Sequence, residues 1–192
     1  MPRPSLKAER TEAILDAVET CVLRYGVHGA TLDKIAETAG MQRSLLRHNV
    51  GNREDLLDAF LNRFFASSDE EVAAMLASLP ASDRVEPLLD ILFDDRASST
   101  RLALVALALN AAAGSDEEIR QRLGAWNNRF VETIRDELGI AFPTAPRDTI
   151  YVVATGLTAI YFNKESVVPL VDTGRIQKAS RHAAIRLVQT LA

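Results

Sequence analysis

The chain has 192 residues, 47% of them hydrophobic and 25% charged, a balance that supports a packed core and excludes intrinsic disorder. A single cysteine, Cys21, excludes an internal disulfide and suits a reducing compartment. The net charge of −4 is unevenly spread: residues 1–53 hold eight Lys/Arg against six Asp/Glu, whereas residues 54–192 hold fourteen against twenty. The positive excess therefore lies at the N-terminal end. It is sharpest from Met41 to Arg53, where Arg43, Arg47 and Arg53 accompany His48 without a carboxylate, the local charge that phosphate binding needs.

No apolar h-region follows Met1, so no secretory signal is expected. The longest apolar stretch, Leu102 to Ala113 broken only by Asn110, is too short to cross a bilayer. These features predict a cytoplasmic protein with no membrane contact.

The periodicity is helical almost throughout, and no sustained alternation announces a strand. Ile14, Val18, Cys21, Val22 and Tyr25 form an apolar stripe on a first helix, which Gly26 is expected to end. Thr31 is placed to cap a second helix, in which Leu32, Ile35, Ala36 and Ala39 recur at i, i+3, i+4 and i+7 before Gly40 closes it. A third short helix runs from Gln42 or Arg43 to Asn49. Gly51 and Asn52 then punctuate the chain, with Asn52 as cap of a long fourth helix and Glu54 and Asp55 favouring its positive end. The apolar face of that helix, Leu56, Leu57, Phe60, Phe64, Val72, Met75, Leu76 and Leu79, continues to Pro80, with Ser67-Ser68 as a candidate bend. Further helices are expected near residues 83–95, 99–113, 116–138, 146–168 and 174–191. The predicted fold is all-α with about nine helices, a three-helix head over residues 1–51 and a helical body over residues 52–192.

Two short helices joined by a tight turn at Gly40-Met41-Gln42 make a helix-turn-helix, whose second helix enters the major groove of DNA. Ala36 permits close helix crossing, Gly40 supplies the turn, and Ile35, Met41, Leu46 and Val50 fill the core of the head. The other side chains divide between groove and backbone. Arg43 is the leading base reader, because a guanidinium bridges O6 and N7 of guanine; Ser44 donates or accepts at a neighbouring base, and Leu45 meets a thymine methyl. Thr31, Lys34, Arg47, His48, Asn49 and Arg53 form the phosphate set, and Gln42 completes the DNA-facing residues. His48 is equally open to a buried structural role. Arg3, Lys7 and Arg10 offer an arm along the DNA or, more simply, a solvated N-terminus.

Gly26, Thr31, Ile35-Ala36, Ala39-Gly40, Leu46, His48 and Gly51-Asn52-Arg53-Glu54-Asp55-Leu56-Leu57 stand in the order found in the tetracycline-repressor (TetR) family, which the chain resembles over residues 10–60. It departs from that pattern at Arg47, where Tyr is common, at Asn49, where an aromatic or His is usual, and at Gln42, where a capping Ser is frequent. The resemblance implies a one-component transcription regulator, by family default a repressor, that binds palindromic double-stranded operator DNA as a homodimer. It further implies an inducer bound in the body, which becomes a ligand-binding and dimerisation domain.

For the dimer the last two helices are the candidates: residues 150–162 are apolar almost all round, and Ile176, Ala179, Ala183, Ile185, Leu187, Val188 and Leu191 supply apolar positions on the final helix. Gly156 and Ala159 permit close approach. For the ligand, Phe93, Leu104, Leu107, Asn110, Trp126, Asn127, Phe130, Tyr151 and Phe162 are candidates to line a cavity, with the two asparagines as polar anchors, although each also suits a core position. Such a lining suits a small apolar or aromatic molecule.

An enzyme is the first rival. His28, His48 and His182 are scattered, none follows a Glu by three or four residues, and no Gly-rich nucleotide loop or G-x-S-x-G elbow is present, so no catalytic residue, metal or cofactor is expected. The second rival is a helical interaction protein that does not use its helix-turn-helix on DNA.

Overall fold

In the computed structural model of the protein, the described residues are 6–93, 100–167, 170 and 173–192. The regular structure among them is helical: α1 (Leu6–Gly29), α2 (Leu32–Thr38), α3 (Arg43–Val50), α4 (Arg53–Ser78), α5 (Val85–Phe93), α6 (Thr100–Ala113), α7 (Glu117–Ala141), α8 (Arg147–Val167) and α9 (Thr173–Val188), closed by a 3₁₀ turn (Gln189–Leu191). Residues 94–99, and so the end of the helix expected to reach 95, lie outside the described residues. None of these helices is long and apolar enough to cross a membrane.

The chain forms two compact units, Met1–Ser68 with Val105–Arg120, and Asp69–Leu104 with Gln121–Ala192. Residue 51 closes α3 and Arg53 opens α4, so the expected 51/52 division coincides with an element boundary, while by compactness the first part of α4 groups with α1–α3.

In the first unit, Ile14, Leu15, Val18, Cys21 and Val22 of α1 are buried, which is the expected stripe with Leu15 added. Tyr25 departs from it. Its ring is 40% exposed, with the Lys34 ammonium 4.1 Å from its centroid and the Arg24 guanidinium 5.2 Å away, because an aromatic face attracts cations. Regular helical geometry ends at Gly26, as expected, with a left-handed φ of +70°, and a further helical turn continues beyond this kink to Gly29. On α4, Phe60, Leu61, Phe64 and Phe65 are buried, and Arg63 reaches three carboxylates spaced along α1, those of Glu12 (3.2 Å), Asp16 (2.8 Å) and Glu19 (3.3 Å). Ser67-Ser68 lies within the continuous helix α4, and Ser68 is buried.

The core of the second unit joins Leu88, Leu89, Leu92 and Phe93 of α5 to Ile134 and Leu138 of α7, Val153, Ala154 and Leu157 of α8, and Ala184 and Val188 of α9. Gly156 serves this packing: a Cβ there would stand 2.5 Å from Leu187 Cδ2, so the close approach it permits is between α8 and α9 of one chain. Arg84 donates to both carboxylate oxygens of Glu137 (2.6 and 2.9 Å), joining the segment before α5 to α7.

The buried face of α8, Leu157, Thr158 and half-buried Tyr161, continues at helical spacing into two charged residues, Lys164 and Glu165, which are 1% and 0% exposed. Lys164 Nζ lies 2.8 Å from Glu165 Oε1 and donates to the Leu92 carbonyl (3.0 Å), while Glu165 Oε2 accepts from the Thr100 hydroxyl (2.8 Å). Removing one charge of such a pair strands the other in a low-dielectric site. We expect Lys164→Met to cost about 3–5 kcal/mol in chemical denaturation, and Lys164→Met with Glu165→Leu to recover most of it. An equal loss in the single and double variants would show that the links to Leu92 and Thr100, rather than the charges, hold this segment.

Candidate nucleic-acid interface

Thr31 caps α2: its backbone is extended (φ −85°, ψ 155°) and its hydroxyl accepts from Lys34 N at 3.4 Å. Ile35 and Ala36 form the buried side of α2. Its C-terminal end closes through two crossed bonds, Met41 N to the Ala36 carbonyl (2.9 Å) and Gly40 N to the Glu37 carbonyl (3.1 Å), the Schellman arrangement. That closure requires the positive φ of +63° that Gly40 supplies.

Gln42 enters α3 in extended geometry and makes no side-chain cap. The helix buries Leu46 completely, half-buries Asn49 and Val50, and leaves Arg43, Ser44, Leu45, Arg47 and His48 exposed. Met41, expected in the core, is half-buried. Gly51 ends α3 at φ +85°, its N–H bonded to the Arg47 carbonyl (2.9 Å). Asn52 Oδ1 then accepts from Glu54 N (2.7 Å) and Asp55 N (3.0 Å), and Asp55 Oδ2 accepts from Asn52 N (2.9 Å), a reciprocal capping box at the start of α4. Both ends of the recognition segment are thus fixed by local hydrogen bonds.

The ten residues nominated from sequence fall into two groups. Gln42, Ser44, Leu45, Arg47 and His48 are exposed and make no side-chain hydrogen bond or ion pair among the described residues. The other five are engaged. Thr31 is used by the cap, and the Asn49 amide donates to the Leu45 carbonyl (2.7 Å). Lys34 Nζ donates to the Gly29 carbonyl (3.1 Å) and covers the Tyr25 ring. Arg53 Nη2 donates to the Val27 carbonyl (2.9 Å), and Arg53 lines an apolar void of about 10 Å³ with Val18, Ile35 and Leu56. Arg43 Nη1 lies 2.9 and 3.2 Å from the two carboxylate oxygens of Asp33. Asp33 is therefore a neighbour that sequence reasoning did not single out; its link to Arg43 spans ten residues and the link from Arg53 to Val27 spans 26. Lys7 and Arg10 are exposed on α1, and Arg3 lies outside the described residues.

Of the ligand candidates, Trp126, Phe130 and Phe162 come together, with ring centroids 5.3 Å (Trp126 to Phe162) and 5.8 Å (Phe130 to Phe162) apart. Tyr161 joins them, 5.6 Å from Phe130 and 5.3 Å from Phe162. Phe93 is buried and 5.7 Å from Lys164 Nζ, and Leu104 is half-buried. Leu107, Asn110, Asn127 and Tyr151 are exposed, Tyr151 beside a surface groove of about 710 Å³ with Ile140, Arg135 and Arg147. A buried charge does stand beside the aromatic cluster, since Lys164 Nζ lies 5.6 Å from the Tyr161 centroid.

No protein-family model matches the chain. The HTH-type transcriptional regulator BetI of Rhizobium meliloti is 28% identical over 162 residues, covering 83% of this chain and 78% of that protein. BetI of Serratia proteamaculans is 24% identical over 196 residues, covering 100% and 92%. Among solved structures, a putative TetR-family transcriptional regulator from Rhodococcus sp. shares the fold with a TM-score of 0.70 at 22% identity, covering 95% of this chain and 98% of that one. A TetR transcription regulator from Haloarcula marismortui does so with a TM-score of 0.72 at 18% identity, covering 95% and 97%.

The link from Arg53 to Val27 generates a stability prediction. Arg53→Ala should lower unfolding free energy by roughly 1–2 kcal/mol, since a partly buried carbonyl loses its charged donor, and thermal denaturation without DNA reads this. Gly51→Ala should cost at least as much, because an added Cβ would collide with the Asp55 carboxylate and stand 3.0 Å from its Cβ at an unfavourable positive φ. Wild-type melting of both variants would remove the account given of the α3–α4 junction.

Proposed function

We propose that this chain is a helix-turn-helix transcription regulator of the TetR family and acts as a dimeric, cytoplasmic repressor on palindromic operator DNA, a reading supported by fold and by sequence likeness together. The observation that carries the reading is the division of α3 and its cap residue: Leu46 is buried, while Gln42, Ser44, Leu45, Arg47 and His48 stand exposed and, among the described residues, make no side-chain hydrogen bond or ion pair. Hydrogen-bonding, cationic and methyl-bearing groups are thereby offered on a helix that fits a major groove. In this reading Arg43, Ser44 and Leu45 read bases; Thr31, Lys34, Arg47, His48, Asn49 and Arg53 position the head on phosphates, and Gln42 approaches beside them. The head is taken as residues 1–51 and the ligand-binding and dimerisation body as residues 52–192.

Two-fold operators call for a two-fold protein, and an exposed stripe of Tyr151, Val152, Thr155 and Ala159 on α8 supports that role, with Ala179, His182, Ala183 and Arg186 exposed at helical spacing on α9. Small residues on both helices allow close packing against a second copy. The aromatic group of Trp126, Phe130, Tyr161 and Phe162 supports a small apolar or aromatic effector in the body, with Phe93 and Leu104 also in the nominated set.

Selection of bound duplexes from a genomic pool tests DNA reading and identifies the operator together. Arg47→Ala should then weaken the selected duplex and a scrambled one alike and flatten the dependence of log K on log salt by about one unit. Failure to enrich any duplex overturns the function, and a loss confined to one base position overturns Arg47's role. For the effector, Trp126 is the only tryptophan, so its fluorescence reports occupancy of the aromatic group. An effector that releases DNA must bind more weakly, by the same factor, when operator is saturating. Equal affinity with and without operator rejects that molecule as the regulator's effector.

A further inference from the structure

The contact between Arg43 and Asp33 joins the two helices of the helix-turn-helix on their solvent side, with side chains 53% and 71% exposed. An exposed pair of this kind contributes little to stability, and the head has other means of holding α2 to α3, namely buried Ile35, Ala36 and Leu46. Its geometry has a different consequence. One nitrogen of the guanidinium, Nη1, faces both oxygens of Asp33 at 2.9 and 3.2 Å, which restrains the fork from one end and leaves the Nη2 and Nε hydrogens for a second planar acceptor. Guanine O6 and N7 form such an acceptor.

Resting on the DNA-binding reading above, we propose that Asp33 is a specificity-determining residue, which orients Arg43 for one guanine and cancels its charge toward phosphate. A neutralised arginine releases few counterions, so it adds little sequence-independent affinity. A restrained fork loses its bonds when the base is wrong, and the carboxylate is itself repelled by any phosphate brought close by misplacement. Asp33 thus converts a general DNA-binding cation into a base reader. It acts through Arg43 and is a positioning residue.

The test uses the full chain, the duplex recovered by selection, its single-base variants and a scrambled duplex. Asp33→Ala is expected to strengthen binding to the scrambled duplex several-fold at low salt, to steepen the salt dependence by about one unit, and to reduce discrimination about tenfold at one base pair. Arg43→Ala should lose discrimination at that same base pair, and combining the two should lose no more than Arg43→Ala alone. Asp33→Asn retains an acceptor for Nη1 without the charge, so it should keep most of the discrimination while steepening the salt dependence; it also guards against a folding defect. Three results overturn the inference: equal weakening of selected and scrambled duplexes by Asp33→Ala, lost discrimination at a different base pair, or full additivity with Arg43→Ala. If the wild-type chain enriches no duplex, the DNA reading itself has failed, and this inference with it.

Discussion

An eight-residue helix has too few internal hydrogen bonds to hold itself in water, so everything α3 presents depends on the burial of Leu46. A fully buried leucine contributes roughly 1.5–3 kcal/mol, enough to choose which side of so short a helix faces inward. With Leu46 inward, the hundred-degree step of the helix puts Ser44 and His48 on the opposite side and Leu45 and Arg47 on the flanks, while Arg43, one turn before Leu46, is exposed as the first residue of the helix. The Gly40 closure before α3 and the Asn52–Asp55 box after it then set where the helix begins and ends. Presentation of the polar face follows from one apolar anchor and two local turns.

What the sequence displays follows the range of the interactions. Thr31, Gly40, Gly51 and Asn52 act within a few residues, so their roles can be read from spacing, and the structure places a cap or turn at each. The periodic faces of α1, α2 and α4 are equally readable because burial repeats with the helix. Side chains that act across the fold are not. Arg53 belongs by composition to a basic cluster, yet its guanidinium sits on the Val27 carbonyl; Arg43 meets Asp33, and Tyr25 leaves the apolar stripe to face Lys34. A long cationic side chain looks the same in sequence whether it reaches solvent or a carbonyl on another helix.

The body shows the same division. Its helices were readable from apolar periodicity, but Asn110 and Asn127 were nominated as polar anchors on chemistry alone, and both are exposed. Lys164 and Glu165 are the buried charges of α8, and their signal was present: they continue the face of Leu157, Thr158 and Tyr161 at helical spacing. Burial of two charges on that face is possible because they pair at 2.8 Å and have the Leu92 carbonyl and the Thr100 hydroxyl as further partners. Gly156 teaches a related lesson, since close approach at a small residue is used here within one chain, by Leu187.

The central claim is that the outward side of α3 lies in the major groove, twice per operator. Dimethyl sulfate protection of the selected duplex tests it most directly, because the reagent methylates guanine N7, which is on the major-groove edge, and adenine N3, which is in the minor groove. The account predicts guanine N7 protection in two symmetry-related patches about one helical turn, roughly 34–36 Å, or a multiple of it apart, with adenine N3 between them still reactive. Protection of adenine N3 with guanine N7 left fully reactive, or one unpaired patch at saturation, would contradict it.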